Sequence, residues 1–212
     1  MIFLIIGIIV LIVILCNRNN SGSSSSPSPK TNETYIKRSR NIAWTEKERY
    51  GKQGERAAYN VIKKALCGGD YIINNVEVAF EGQRAECDYI IINKYGVFII
   101  EVKNYSGKLF GSAEDDKWIK RSTDSYGNEF KKEVKNPIKQ VNREIYVLSK
   151  FMRSHGITAW IEGFVYLVDN NSPIDDDRVL ENTKDVSRAI HTPGKRYLSE
   201  EEIEKLHSIM PN

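Results

Sequence analysis

The stretch Ala85–Gly107, AECDYIIINKYGVFIIEVKNYSG, holds two runs rich in β-branched and aromatic residues, separated by Lys94 and Tyr95. Such runs, bounded by glycine or polar positions, read as strands, and a two-residue break between them reads as a hairpin. Side chains alternate across a strand. Asp88 therefore shares a face with Ile90 and Ile92, and Glu101 and Lys103 share one with Val97 and Ile99. If Asn93 and Gly96 close the hairpin, the register carries Asp88 directly opposite Glu101. A bulge at Gly96 would put the two on opposite faces, so the geometry of this turn decides whether the carboxylates meet.

Opposed carboxylates on neighbouring strands, about 4.5–5.5 Å apart at Cβ, repel each other unless something compensates. A divalent cation does so. Magnesium or manganese takes carboxylate oxygens as ligands and keeps several waters, leaving room for a phosphate oxygen and an attacking water. Asp88 and Glu101 are thus the candidate metal ligands. Lys103 is the candidate cation for charge that develops on a phosphate or for orienting the water. Each residue also fits an ordinary role, as a strand-edge aspartate or half of a cross-strand ion pair. It is their combination that points to phosphodiester hydrolysis.

Outward from this hairpin, the chain reads as an α/β unit. Thr45–Glu48 fits a capping box, and the following segment to Leu66 carries Ala58, Ile62, Ala65 and Leu66 at helical spacing before Cys67-Gly68-Gly69. Glu55 falls within about 20° of Ile62 and Leu66 on this apolar stripe. A carboxylate on a core-facing stripe needs a partner, so Glu55 is a third candidate for the metal site. Tyr71–Phe80 is a strand preceding Ala85–Asn93 and Gly96–Val102, which suggests a meander. Lys108–Gly111 and Lys117–Arg121 read as short strands, and the charged stretch Ser122–Lys135 as a loop. Asn136-Pro137 caps a second helix in which Ile138, Val141, Ile145, Leu148 and Met152 recur every three or four residues as far as His155-Gly156. Gln140 lies on the shoulder of that stripe, from where its amide can reach the same cleft. Trp160–Val168 is a strand, Asn170–Asp177 an acidic loop, and Ser199–Ile209 a closing helix. His155, His191 and His207 are scattered and read as structural.

Met1–Cys16 is apolar throughout and would extend ~24 Å as a helix, close to the ~30 Å hydrocarbon thickness of a bilayer. No basic residue precedes it and no small residues end it, so an uncleaved transmembrane anchor is the expectation. A lipoprotein signal also ends in Cys, but Leu15 stands where a small residue is normal. Arg18, Lys30, Lys37, Arg38 and Arg40 follow the span, which places the bulk of the chain in the cytoplasm by the positive-inside rule. Residues 17–43 are Ser/Pro/Asn-rich and read as a flexible tether. The nuclease-type domain is expected over residues 44–170, with a C-terminal loop and helix over 171–212.

The net charge of +3 conceals segregation: Lys103–Arg153 holds 12 basic and 7 acidic residues, and Glu162–Lys205 holds 6 and 11. A locally basic segment favours a polyanionic partner, with DNA as the first candidate. Three cysteines without paired ligand spacing indicate neither a disulfide framework nor a zinc site, and a reducing compartment fits them.

The segments GKQGERAAYNVI (51–62), AECDYIIIN (85–93), KYGVFIIEVKNYSG (94–107) and NPIKQVNRE (136–144) resemble the nuclease-related domain (NERD) family. That family is assigned to the restriction-endonuclease-like PD-(D/E)XK superfamily, and its spacing is also similar to that of archaeal Holliday-junction resolvases. The resemblance implies a restriction-endonuclease-like core, α-β-β-β-α-β, with a mixed central sheet flanked by helices. It also implies roles for a helix glutamate, a strand aspartate, a Glu-x-Lys and a helix glutamine, which fall on Glu55, Asp88, Glu101, Lys103 and Gln140. Cys87 stands where the superfamily's name has proline. The expected function is therefore a membrane-anchored, magnesium-dependent endonuclease. The competing expectation is a non-catalytic module that keeps the fold to hold nucleic acid or a protein at the membrane.

Overall fold

The computed structural model describes residues 34–38, 46–168, 172–194 and 196–210. Glu81 and Gly82, both with positive φ (47° and 77°), turn strand β2 (Tyr71–Phe80) into β3 (Gln83–Asn93). Two left-handed residues give the turn a twist that matches that of the flanking strands. Lys94 and Tyr95 then join β3 to β4 (Gly96–Lys103), with antiparallel pairs running from Asn93↔Gly96 to Tyr89↔Ile100. This is the two-residue closure, not the bulged one.

β4 pairs in parallel with β8 (Ile161–Leu167), which pairs in parallel with the short β9 (Val179–Leu180). A parallel neighbour requires a crossover, and helix α2 (Pro137–Ser154) supplies it. Asn136 caps α2 by accepting a hydrogen bond from the Ile138 amide, with Pro137 in the first turn. The sheet order is β1-β2-β3-β4-β8-β9, where β1 is Tyr35–Arg38 and pairs antiparallel with β2.

Both faces of this sheet are covered, which explains the unbroken apolar runs of its central strands. On one face Ile90, Ile92, Val97 and Ile99 pack with Val147, Leu148 and Phe151 of α2 and with Ile203 and Leu206 of α4 (Glu200–Ile209). On the other face Ile91, Phe98 and Ile100 pack with Ala58 and Ile62 of α1 (Glu46–Ala65) and with Val186 and Ile190 of α3 (Thr183–His191). α2 lies close on β8 at Gly163, where a Cβ would stand 2.0 Å from Val141 Cγ1.

A second, three-stranded antiparallel sheet, β5 (Lys108–Phe110), β6 (Lys117–Thr123) and β7 (Glu129–Lys135), is inserted between β4 and α2. Leu109 and Trp118 seat it on Ile138 and Val141 of α2 and on Val165 and Leu167 of β8.

The mixed α/β fold agrees with the sequence reading, and three elements depart from it. Ser122–Lys135, expected as a loop, completes β6 and forms β7; Asp124 closes the turn by accepting from the Tyr126 and Asn128 amides. Its lysines hid the strand, because an exposed strand buries almost no apolar side chain. Residues 17–43, expected as a tether throughout, contain β1, whose backbone pairs along the β2 edge. Helix α3 was not expected, although Asn182 caps it and Val186, Ala189 and Ile190 form its buried side. The expected anchor at residues 1–16 and the Thr45 cap lie outside the described residues. Among the described residues no helix is long and apolar enough to cross a membrane.

Candidate active site

The β2–β3 ladder runs in register on both sides of one missing step, between Asn74↔Tyr89 and Val76↔Cys87. At that step Asn75 has φ 55°. The alternation of side chains reverses there: Ile73, Val76 and Val78, and likewise Cys87, Ile90 and Ile92, belong to one core cluster despite their mixed parity. Asp88 stands at the reversal. Simple alternation therefore does not fix its face, and the β3–β4 pairs end one step short of it, at Tyr89↔Ile100; its carboxyl still lies near Glu101, which raises it.

Asp88 Oδ2 accepts from the Val102 amide at 2.8 Å. Burial pushes its carboxyl well above the usual carboxylate range, and neighbouring Glu101 adds to the rise, against the Val102 hydrogen bond and Lys103. Glu101 is only 3% exposed. Its Oε1 accepts from Gln140 Nε2 at 2.7 Å and pairs with the Lys103 ammonium, while its Oε2 is buried with no hydrogen-bond partner among the described residues. Burial alone would lower Lys103, but the adjacent Glu101, with Asp88 beyond it, holds the ammonium above the ordinary lysine range.

The structure adds Glu144, on α2 one turn beyond Gln140 and buried. Gln140 Nε2 donates to its Oε1 at 2.9 Å, and its Oε2 is likewise buried without a partner among the described residues. Burial raises the Glu144 carboxyl, and Glu101 raises it further. The criterion that singled out Glu55 identifies Glu144 equally well, because it sits on the stripe of Val141, Leu148 and Phe151. The Cys87 thiol is also pushed up, first by burial and then by Glu144, so it is an unreactive core residue.

Glu55 is placed differently from the other four candidates. Its carboxylate is half-buried, paired with Lys52 at 2.8 Å, and lines a cleft of about 600 Å³ with Arg56, Tyr59, Asn75 and Tyr89. It still raises Asp88, as the smallest contribution, and the Tyr89 hydroxyl donates to its backbone carbonyl at 2.7 Å. Gln140 and Glu144 face a second cleft of about 790 Å³, shared with Arg84, Lys135, Lys139 and Arg143.

Asp88, Glu101 and Glu144 crowd three carboxyls around one ammonium, and two buried oxygens lack donors among the described residues. Uncompensated burial of this kind is expensive, so the donor set fits a hard divalent cation on Asp88 and Glu101 Oε2, with Glu144 Oε2 within the same polar cluster.

A strand aspartate facing a Glu-x-Lys on a mixed sheet between helices is consistent with the restriction-endonuclease-like class. The profile of the nuclease-related domain matches residues 50–168, and the chain belongs to that family. Over 90 residues it is 34% identical to an uncharacterized protein of Bacillus anthracis, a match covering 41% of this chain and 42% of that relative. The matched region is thus less than half of the relative's length. No solved structure matches the chain.

Proposed function

We propose that the protein is a magnesium- or manganese-dependent endonuclease that hydrolyses phosphodiester bonds in DNA, held at the cytoplasmic face of a membrane by residues 1–16. The observation that carries this reading is the buried Glu101 carboxylate, with one oxygen on Lys103 and Gln140 and the other without a partner among the described residues, beside an Asp88 whose carboxyl is pushed upward.

In this reading Asp88 and Glu101 hold the cation. When bound, it supplies Lewis acidity to a phosphoryl oxygen and acidifies its water. Lys103 places its ammonium where charge develops on the phosphate. Gln140 fixes Glu101 and Glu144 relative to each other through its two hydrogen bonds. The test is cleavage of linear, nicked, branched and single-stranded DNA, and of RNA, by the full chain with magnesium or manganese. Cleavage that needs metal and is lost in Lys103→Met supports the proposal, and no cleavage of any substrate overturns it.

The β6–β7 ribbon supports a polyanionic partner. Its register sets Lys120 opposite Lys132 and Arg121 opposite Lys131. Like charges directly opposite destabilise a sheet, and phosphates would relieve them. Tyr126 and Phe130 on the same hairpin are 89% and 54% exposed, as aromatic rings available to unpaired bases are. Replacing Lys131 and Lys132 together by Thr should leave the melting temperature unchanged or slightly raised. DNA affinity should fall, and the slope of log affinity against log salt should become shallower by about 1 for each phosphate that the ribbon no longer neutralises. Unchanged affinity and slope would remove the ribbon from the interface.

A second reading rests on the Lys103–Glu101 pair itself, which also suits a non-catalytic binding module that keeps the fold. Magnesium titration of thermal stability separates the two, since only a working metal site stabilises the native state.

A further inference from the structure

Asp88 lies at the middle of β3, and the Lys94-Tyr95 turn follows the end of that strand, about 20 Å away at 3.3 Å per residue. Beside this turn a second group of chemically able side chains comes together. α1 ends at Ala65, and Gly68 and Gly69, the latter with φ 92°, fold the chain back before β2. In that turn the Asp70 amide donates to the Cys67 carbonyl at 3.2 Å, and Asp70 Oδ2 accepts from the Cys67 amide at 2.7 Å. α3 ends at His191, whose Nε2 lies 2.9 Å from the same Asp70 oxygen. Ligand atoms of Cys67, Asp70 and His191 all lie within 4.8 Å of one another, on the wall of a cavity of about 670 Å³.

His191 is the informative member. Its Nδ1 lies 2.9 Å from the Ser187 carbonyl, which can only accept, and at a longer 3.3 Å from the Ser187 hydroxyl, while its Nε2 faces a carboxylate. A neutral imidazole carries one N–H and cannot serve both. With Nδ1 donating to Ser187, the Nε2 lone pair points at Asp70, and either a second proton or a cation completes the contact. A ring nitrogen that binds metal while the other donates to a backbone carbonyl is the usual arrangement of a histidine ligand. The third donor, the Cys67 thiol, favours a metal with affinity for sulfur. The C-terminal ends of α1 and α3 converge here as well, and each carries partial negative charge.

We propose that Cys67, Asp70 and His191 form a zinc site, separate from the site at Asp88 and independent of it. Sulfur, nitrogen and oxygen donors from three residues, with a fourth position left for water or for Glu200 or Glu204 of the same cavity, suit tetrahedral zinc and not magnesium. Zinc there clasps the ends of the two helices that cover one face of the sheet.

The test is metal titration of the full chain in detergent after chelation. One zinc should bind per chain and raise the melting temperature, and excess magnesium should not displace it. Cobalt should give a thiolate-to-metal absorption band that is absent in Cys67→Ser. Cys67→Ser and His191→Gln should each weaken zinc by more than the roughly 10- to 100-fold that loss of an outer-shell partner brings. Zinc should also protect Cys67 of the parent from alkylation, read peptide by peptide, which needs no variant to fold. Absence of the cobalt band, or alkylation of Cys67 at the same rate with and without zinc, overturns the proposal. A chain that binds zinc in this way yet cuts nothing would overturn the proposed nuclease activity alone.

Discussion

Asp88→Asn is expected to abolish metal-dependent cleavage while leaving the metal-free protein at least as stable as the parent at neutral pH. The loss should exceed the roughly 10²- to 10³-fold that removal of one electrostatic stabiliser costs, because a charged metal ligand goes with it. The amide oxygen of Asn can still accept from the Val102 amide. Burial and Glu101 raise the Asp88 carboxyl, so the native state keeps a proton that the unfolded chain releases from about pH 4 upward. Native protein then binds more protons than unfolded, and Asp88's contribution makes stability fall as pH rises through that window, by at most about 1.4 kcal/mol per pH unit. Asn does not titrate. Melting curves of parent and variant should coincide in acid and separate on the way to neutrality, with the variant higher. Added magnesium should raise the parent more than the variant. A variant less stable at every pH, with its magnesium response intact, would make Asp88 a scaffold residue.

Gly163→Ala should destabilise the fold from a position outside the site. The added methyl would stand 2.0 Å from Val141 Cγ1 and 2.9 Å from Ile145 Cδ1, and Val141 is fully buried. Helix α2 must then lift from β8, at an expected cost of about 1–3 kcal/mol. Because α2 carries Gln140 and Glu144, the same shift should weaken magnesium binding in chain that remains folded. Denaturant midpoints and a magnesium titration check both effects. An unchanged midpoint would mean that Val141 and Ile145 repack without moving the helix.

The meeting of Asp88 with Glu101 was legible in the sequence because a two-residue hairpin leaves few registers, and side-chain alternation carried Glu101 and Lys103 to the α2 side. Alternation did not reveal the reversal at Asn75 and Asp88, since a left-handed residue within a strand leaves the apolar pattern nearly intact. Gln140 was legible as a flank residue, and Glu144 was equally so by its place on the buried stripe. The pairing of Glu55 with Lys52 depends on which rotamers the cleft admits, which spacing does not encode. β7 escaped because its residues are nearly all exposed and little apolar side chain is required there. α3 escaped because nine residues carry only a short periodic signal.

The parallel pairing of β4 with β8 demands a crossover, and α2 alone satisfies it. The β5–β7 sheet inserted ahead of α2 adds nothing to that topology, yet Leu109 and Trp118 bury it against α2 and β8, so only its exposed outer turn, residues 125–130, is free of packing constraints. Substitutions in that turn leave untouched the β3–β4 register, which Lys94 and Tyr95 set at the far end of their hairpin.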